Sequence, residues 1–328
     1  TDILKIFINL VVLFFITISF SQYREWEDLS VFKINTEEPH SFFIPYNKAG
    51  DSLTQTLNGT WDFKLYKIDD EVPEKFYKKS FDKSDWDKIP VPSNWQFHSD
   101  DFPVYTNIIY PYEINPPFMP SDYNPVALYK RNFNLNKDWE NMEVFIHFGA
   151  VNSAFYVWVN EKFVGYSEGS KTPAEFNLTD FLMDGNNEIV WKVLRWSDGT
   201  YLEDQDFWRL SGIERDVFLY AQPKLAVRDY FLKNYLNDDL TNSKINFEVD
   251  LKNYSDKGKD FQLITSIKKD NKVVFKKTKN GMIGSNGSQK ILIEGEVKYP
   301  QLWSAEIPNL YDVEIEIQDS DNNYHKLK

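Results

Sequence analysis

Short segments of alternating apolar and polar residues, each closed by a turn signal, run through most of this chain and set its fold class. Residues 61–66, 126–135, 144–148, 154–159, 188–195 and 216–220 read as strands. In a strand, residues i and i+2 share one face, and that face must be buried. Asn160-Glu161 and Asp184-Gly185-Asn186 supply turns between them. Helical spacing is weak, and residues 173–182 have room for one short turn. Strands and helices do not alternate, so a parallel α/β sheet is excluded and an all-β chain is expected.

Residues 90–125 break the pattern with eight prolines. Proline cannot donate to a ladder, so this stretch does not supply central strands. It is expected to be a long ordered loop, held by aromatics such as Trp95, Phe97, Tyr105 and Tyr112. Long loops on a β scaffold carry contacts or function.

A compositional shift follows. Residues 1–221 hold 20 Lys+Arg and 34 Asp+Glu, a balance of −14, whereas residues 222–328 hold 17 and 16, a balance of +1. Nine of the ten tryptophans also precede residue 222. A domain boundary is therefore expected at 221–227, where Gln222-Pro223 starts a linker. Beyond it, residues 244–253, 261–267, 272–277, 289–297 and 311–317 alternate again. Such strands in about 100 residues, without cysteine, suit an immunoglobulin-like sandwich. Before residue 59 lies a leader, residues 22–58, whose Trp26, Phe32, Phe42, Phe43 and Tyr46 are expected to dock it on the first domain.

Residues 195–217 concentrate the chemistry. Asp198, Glu203, Asp204, Asp206, Glu214 and Asp216 fall there with Arg195, Arg209 and Arg215, beside Trp196 and Trp208. Carboxylates accept hydrogen bonds from hydroxyls, and flat aromatic faces stack on sugar C–H faces, so the window suits a polyhydroxylated ligand. The same residues also suit an internal ion-pair network, and spacing alone leaves both open.

The formal charge of −13 argues against nucleic acid or an anionic membrane as partner. The absence of cysteine excludes disulfides, thiolate catalysis and cysteine-based zinc sites. The four histidines are far apart in sequence, which argues against a histidine metal site. Lys5 precedes an apolar run over residues 6–20, and Ser19-Phe20-Ser21 precedes Gln22. Residues 1–21 are expected to be a signal peptide, which exports the protein to the periplasm or outside the cell; an uncleaved membrane anchor is the alternative.

Several stretches resemble glycoside hydrolase family 2. Leu57-Asn58-Gly59-Thr60-Trp61-Asp62-Phe63 and Ile89-Pro90-Val91-Pro92-Ser93-Asn94-Trp95-Gln96 resemble the opening of its sugar-binding domain. Tyr105-Thr106-Asn107, Tyr110-Pro111 and Asn115-Pro116-Pro117 resemble a long loop of its β-galactosidase branch. Arg195-Trp196-Ser197-Asp198-Gly199, Tyr201 to Asp206, Trp208-Arg209 and Ser211-Gly212-Ile213 are the most specific part. The resemblance runs from about Trp26 to Tyr311 and points to the β-galactosidase branch rather than the β-glucuronidase or β-mannosidase branches.

The resemblance implies a jelly-roll galactose-binding sandwich over 59–221 and an immunoglobulin-like sandwich over 222–328. It implies a following TIM barrel with two glutamates of a retaining mechanism, which cannot be assigned in this chain. The chain alone is therefore expected to be inactive. In this family the loops of the first domain reach the barrel mouth. The resemblance implies that Asn107 and Asp206 contact galactose and that Asp206 ligates a sodium ion, with Mg2+ reserved for the catalytic domain. A β-galactoside glycan is the implied partner, and the full-length enzyme is expected to be a homo-oligomer. Asp198, Glu203 and Asp204 read as loop-shaping. A non-catalytic carbohydrate-binding module is the competing reading.

Overall fold

The computed structural model describes residues 24–203 and 206–328. The expected signal segment, residues 1–21, and Asp204 lie outside the described residues. Among those described, helix is limited to single 3-10 turns and strands make up the remaining regular structure. No helix there is long and apolar enough to cross a membrane.

The first unit is a two-layer sandwich. Its larger antiparallel sheet runs in the order Lys33–Ile34, Lys162–Ser167, Ala154–Val159, Asn186–Leu194, Val126–Asn134, Gly59–Tyr66, Asp87–Val91. Opposite it lie Ala174–Asn177, Glu143–Phe148, Val217–Gln222 and Thr54–Thr56. One apolar core fills the space between the layers. Trp61 and Trp191 meet at its centre with ring centroids 3.8 Å apart, and Phe148 crosses Trp191 at 5.0 Å. The buried Trp61 indole donates to Leu57 O at 2.9 Å.

The alternation expected over residues 154–159 is absent, because nearly every residue of that strand is buried. The outer face of the sheet is covered as well as the inner one, which removes the need for a polar side. Trp26 of the leader meets Tyr156 edge-on at 6.1 Å, and Phe76 meets Trp158 at 5.0 Å.

The leader is tied to both units, where docking on the first alone was expected. Lys33–Ile34 pairs with Tyr166 and Ser167 of the first sandwich. A Cβ on Gly165 would sit 2.3 Å from Ile34 O, so this close approach needs glycine. Pro45–Tyr46 pairs instead with Tyr324–Leu327 of the second sandwich. Thr54–Thr56 takes the open edge of Val217–Gln222 and belongs to the first sandwich itself.

The second unit packs Leu225–Leu236, Asn242–Asn253 and Ser288–Lys298 against a five-stranded sheet. That sheet contains Pro45–Tyr46, Tyr324–Leu327, Asp312–Asp319, Lys259–Lys269 and Lys272–Ile283. Here one face is solvated, and the alternation is regular. Ile245, Phe247, Val249 and Leu251 are all buried while their neighbours are not. Each such side chain contributes about 1.5–3 kcal/mol by leaving water. Lysines 272, 276, 277 and 279 line the outer edge strand, which discourages further strand pairing. The two units meet at an aromatic seam, where Phe145 stacks on Tyr220 at 5.0 Å and Tyr254 approaches Phe145 edge-on at 5.8 Å.

Candidate functional site

The proline-rich stretch and the window at 195–217 come together as one structure. Val104–Thr106 pairs antiparallel with Phe207–Arg209, forming a two-stranded ribbon separate from both layers. Trp208 stands opposite Tyr105, and Phe207 opposite Thr106. Asn107 and Asp206 are the next residue on each strand, so the ribbon carries both candidate sugar contacts to its tip. They are 99 positions apart by number, and the pairing alone makes them neighbours.

Both legs of the ribbon are rooted on a buried polar cluster. Asp101 is its centre: it accepts from Trp95 Nε1 at 2.7 Å, Gln96 Nε2 at 2.9 Å and the Tyr123 hydroxyl at 2.6 Å. It also pairs with Arg195, and both side chains are only 1% exposed. Arg195 donates on to Phe102 O at 2.9 Å, which fixes the first leg. Gln96 Oε1 accepts from Ser211 N at 3.0 Å, and Trp95 N donates to Ser211 O at 3.0 Å, which fixes the second. Burial holds the Arg195 guanidinium below its ordinary pKa, and it moves the Tyr123 hydroxyl up to about 12 with help from its hydrogen bond to Asp101. Gly212 follows the second leg with φ +131°, and a Cβ there would sit 2.7 Å from Ser93 O, so only glycine fits.

The tip differs from the root in every respect. Asn107 and Asp206 are exposed. The Tyr105 hydroxyl donates to Asp206, and that hydrogen bond, with the carboxylate's charge, raises the Tyr105 pKa. Tyr105 and Trp208 are each more than half exposed, with ring centroids 5.5 Å apart. A carboxylate, an amide and two open aromatic faces therefore share one small surface. Trp196, also a candidate face, is buried instead, under the Arg195 guanidinium at 4.8 Å and against Tyr112 at 5.4 Å. An open cleft of about 500 Å³ lies beside the root, lined by Phe102, Val104, Tyr112, Asn115 and Phe118; neither Asn107 nor Asp206 lines it.

The remaining acidic residues sit behind the ribbon. Glu203 Oε1 accepts from Ser170 N at 2.8 Å. Asp198 is buried and opens the turn Asp198–Tyr201, which Ser197 caps. Glu168, beside Asp198, is pushed up to about 9, first by burial and then by its hydrogen bond with Asp198. Glu214 pairs with Lys171 at 2.5 Å and accepts from Asn94 at 3.0 Å. Arg209 donates to Thr106 Oγ1 at 3.3 Å across the ribbon, and Arg215 to Lys171 O at 3.3 Å. No group of three or more histidine or acidic side chains among the described residues is placed to hold a metal.

The family profile described as "Glycosyl hydrolases family 2, sugar binding domain" matches residues 54–223, and "Glycosyl hydrolases family 2" matches residues 225–327. The chain belongs to glycoside hydrolase family 2. It is 36% identical over 315 residues to a protein of Priestia megaterium named "Beta-galactosidase", covering 91% of this chain and 30% of that protein. Among solved structures, a β-glucuronidase of Bacteroides uniformis superposes with TM-score 0.69 at 23% identity, over 83% of this chain and 31% of that one. A putative β-galactosidase from Bacteroides fragilis gives TM-score 0.66 at 19% identity, over 84% and 40%. The chain thus spans about a third of the length of these relatives.

Proposed function

We propose that this chain is the sugar-facing portion of an exported, retaining β-galactosidase that removes terminal β-D-galactose. The observation that carries this reading is the ribbon tip, where Asn107 and Asp206 stand beside the open rings of Tyr105 and Trp208. The likeness to a relative named β-galactosidase supports galactose over glucuronic acid. Asp206 also points the same way by charge, because an exposed carboxylate at the sugar-facing tip repels a substrate that carries its own carboxylate.

In this reading Asp206 accepts from a galactose hydroxyl, and Asn107 both donates and accepts. The Tyr105 hydrogen bond fixes the carboxylate before sugar arrives, so less freedom is lost on binding. Asp206 is also the right donor type for a hard monovalent cation such as sodium. It would supply one oxygen to the ion. The cation would offset the carboxylate's charge and help orient the sugar. The protons and the nucleophile of a retaining reaction are the task of a carboxylate pair beyond these sandwiches.

The test uses the full-length protein with matched chromogenic β-galactoside and β-glucuronide substrates. Turnover of the galactoside, lowered in Asp206→Asn at unchanged melting temperature, is the expected result. Preference for the glucuronide would overturn the substrate assignment. Unchanged galactoside kinetics in Asp206→Asn would overturn the role of the ribbon tip.

A further inference from the structure

The leader crosses the seam between the two sandwiches at residues 37–46, and His40 sits at the crossing. Its Nδ1 lies 2.7 Å from Ser41 O, and its Nε2 lies 2.8 Å from Glu175 Oε2. A backbone carbonyl can only accept a hydrogen bond. Glu175 is an acceptor too. His147 Nδ1 reaches its Oε1 at 2.7 Å, and the Tyr220 hydroxyl donates to its Oε2 at 2.7 Å. Burial alone would raise the Glu175 pKa, but the hydrogen bonds from His147 and His40 hold it well below the usual carboxylate range. With acceptors on both sides, both ring nitrogens of His40 must carry protons, and only the imidazolium does so. The His40 side chain is 8% exposed, so water is a poor substitute for either partner.

The charges around the ring are matched for that form. From the leader, Glu37 lies 3.5 Å from Arg228, and Glu38 pairs with Lys33 at 2.7 Å. From the first sandwich come Glu175, His147 and Tyr220. From the second, Arg228 stands 4.0 Å from Glu175, and Asp229 accepts from Ser41 N at 2.8 Å. Tyr254 lies buried in the same seam, its hydroxyl pKa raised by burial. His325 faces Phe43 at 6.4 Å and is pushed down to about 3 by burial, so it is neutral across the pH range of the experiment below. His147 needs only one ring proton for its contact with Glu175.

We propose that residues 37–46 are a proton-linked strap, which binds the two sandwiches together while His40 holds both ring protons and loosens when one is lost. Removing a proton sets a ring lone pair against Ser41 O or Glu175 Oε2 at under 3 Å, with no hydrogen between two buried acceptors. The docked strap binds one more proton than the free strap, so docking is complete at low pH and weakens as pH rises. The weakening falls in the ordinary histidine range. Residues 24–34 make no such contact. They are held by Trp26 on Tyr156 and by the pairing of Lys33–Ile34, and so serve as an internal control.

The experiment is hydrogen–deuterium exchange of the full chain at about pH 6 and about pH 8.5, a window spanning the ordinary histidine range and corrected for intrinsic exchange. Peptides over 41–46 should lose protection roughly tenfold or more, while those over 24–34 keep theirs. In His40→Gln, whose amide cannot donate on both sides, protection over 41–46 should be low at both pH values. His147→Gln should retain the pH dependence. Histidine 15N spectra give a second readout, in which both His40 nitrogens carry hydrogen at neutral pH. Equal wild-type protection at both pH values, pH dependence surviving in His40→Gln, or a neutral His40 ring beneath a protected strap would each overturn the proposal.

Discussion

The root and the tip of the ribbon use the same residue types for opposite purposes. At the root, Asp101 is surrounded by Trp95, Gln96, Tyr123 and Arg195, and almost none of its surface meets water. At the tip, Asp206 is exposed and, among the described residues, takes one hydrogen bond, from Tyr105. A carboxylate whose acceptor sites are filled by its own chain is architecture. One held on a single side has oxygens left for a ligand. The difference lies in how completely each group is satisfied, which residue identity does not reveal.

The largest effect should come from the root. Arg195→Met leaves Asp101 charged and buried without its cation, and breaking a buried pair in this way costs about 3–5 kcal/mol. Thermal unfolding of the chain should show a clear loss of melting temperature, and an unchanged value would mean that the hub is not structural. The comparison sharpens at the tip. In the full-length enzyme, Asp206→Asn should lower kcat/KM by about 2–4 kcal/mol, or roughly 30- to 1000-fold, through lost transition-state contacts. Its melting temperature should stay near wild type, because exposed positions of this kind move stability by less than about 0.5 kcal/mol. A stability loss with normal kinetics would reverse the assignment. Smallest is Tyr105→Phe, which removes one hydrogen bond worth about 0.5–1.5 kcal/mol. A fall in kcat/KM of up to about tenfold is expected there. Steady-state kinetics of the pair Tyr105→Phe and Asp206→Asn, alone and combined, would show whether the two side chains act as one unit.

Much of this was legible from residue order. Strands such as Asn242–Asn253 alternate because one face is wet, and their inward residues can be read directly. The strand Leu225–Leu236 was not anticipated. Its register shifts between Val227 and Asp229, which switches the buried face partway along and erases the period of two. Asn107 and Asp206 were reached through resemblance, and their shared place at the ribbon tip depends on the pairing of Val104–Thr106 with Phe207–Arg209. Asp101 gave no signal at all. In Ser99-Asp100-Asp101-Phe102-Pro103 it resembles a solvated turn residue, and its partner Arg195 lies 94 positions away. The ion pairing suspected within 195–217 does exist for Arg195, but with a carboxylate outside that window.

The ribbon is an arm fixed at its buried root by Asp101, Arg195 and Gln96. Three residues per strand give it a span of about 10 Å at roughly 3.3 Å per residue. An angular error of about 6° at the root would shift Asn107 and Asp206 by about 1 Å, enough to cost on the order of a hundredfold in rate at a reacting centre. Alterations near Gln96, Asp101 or Ser211 that leave the sandwich folded should therefore surface as lowered kcat/KM in the full-length protein, although they lie some distance from Asn107 and Asp206.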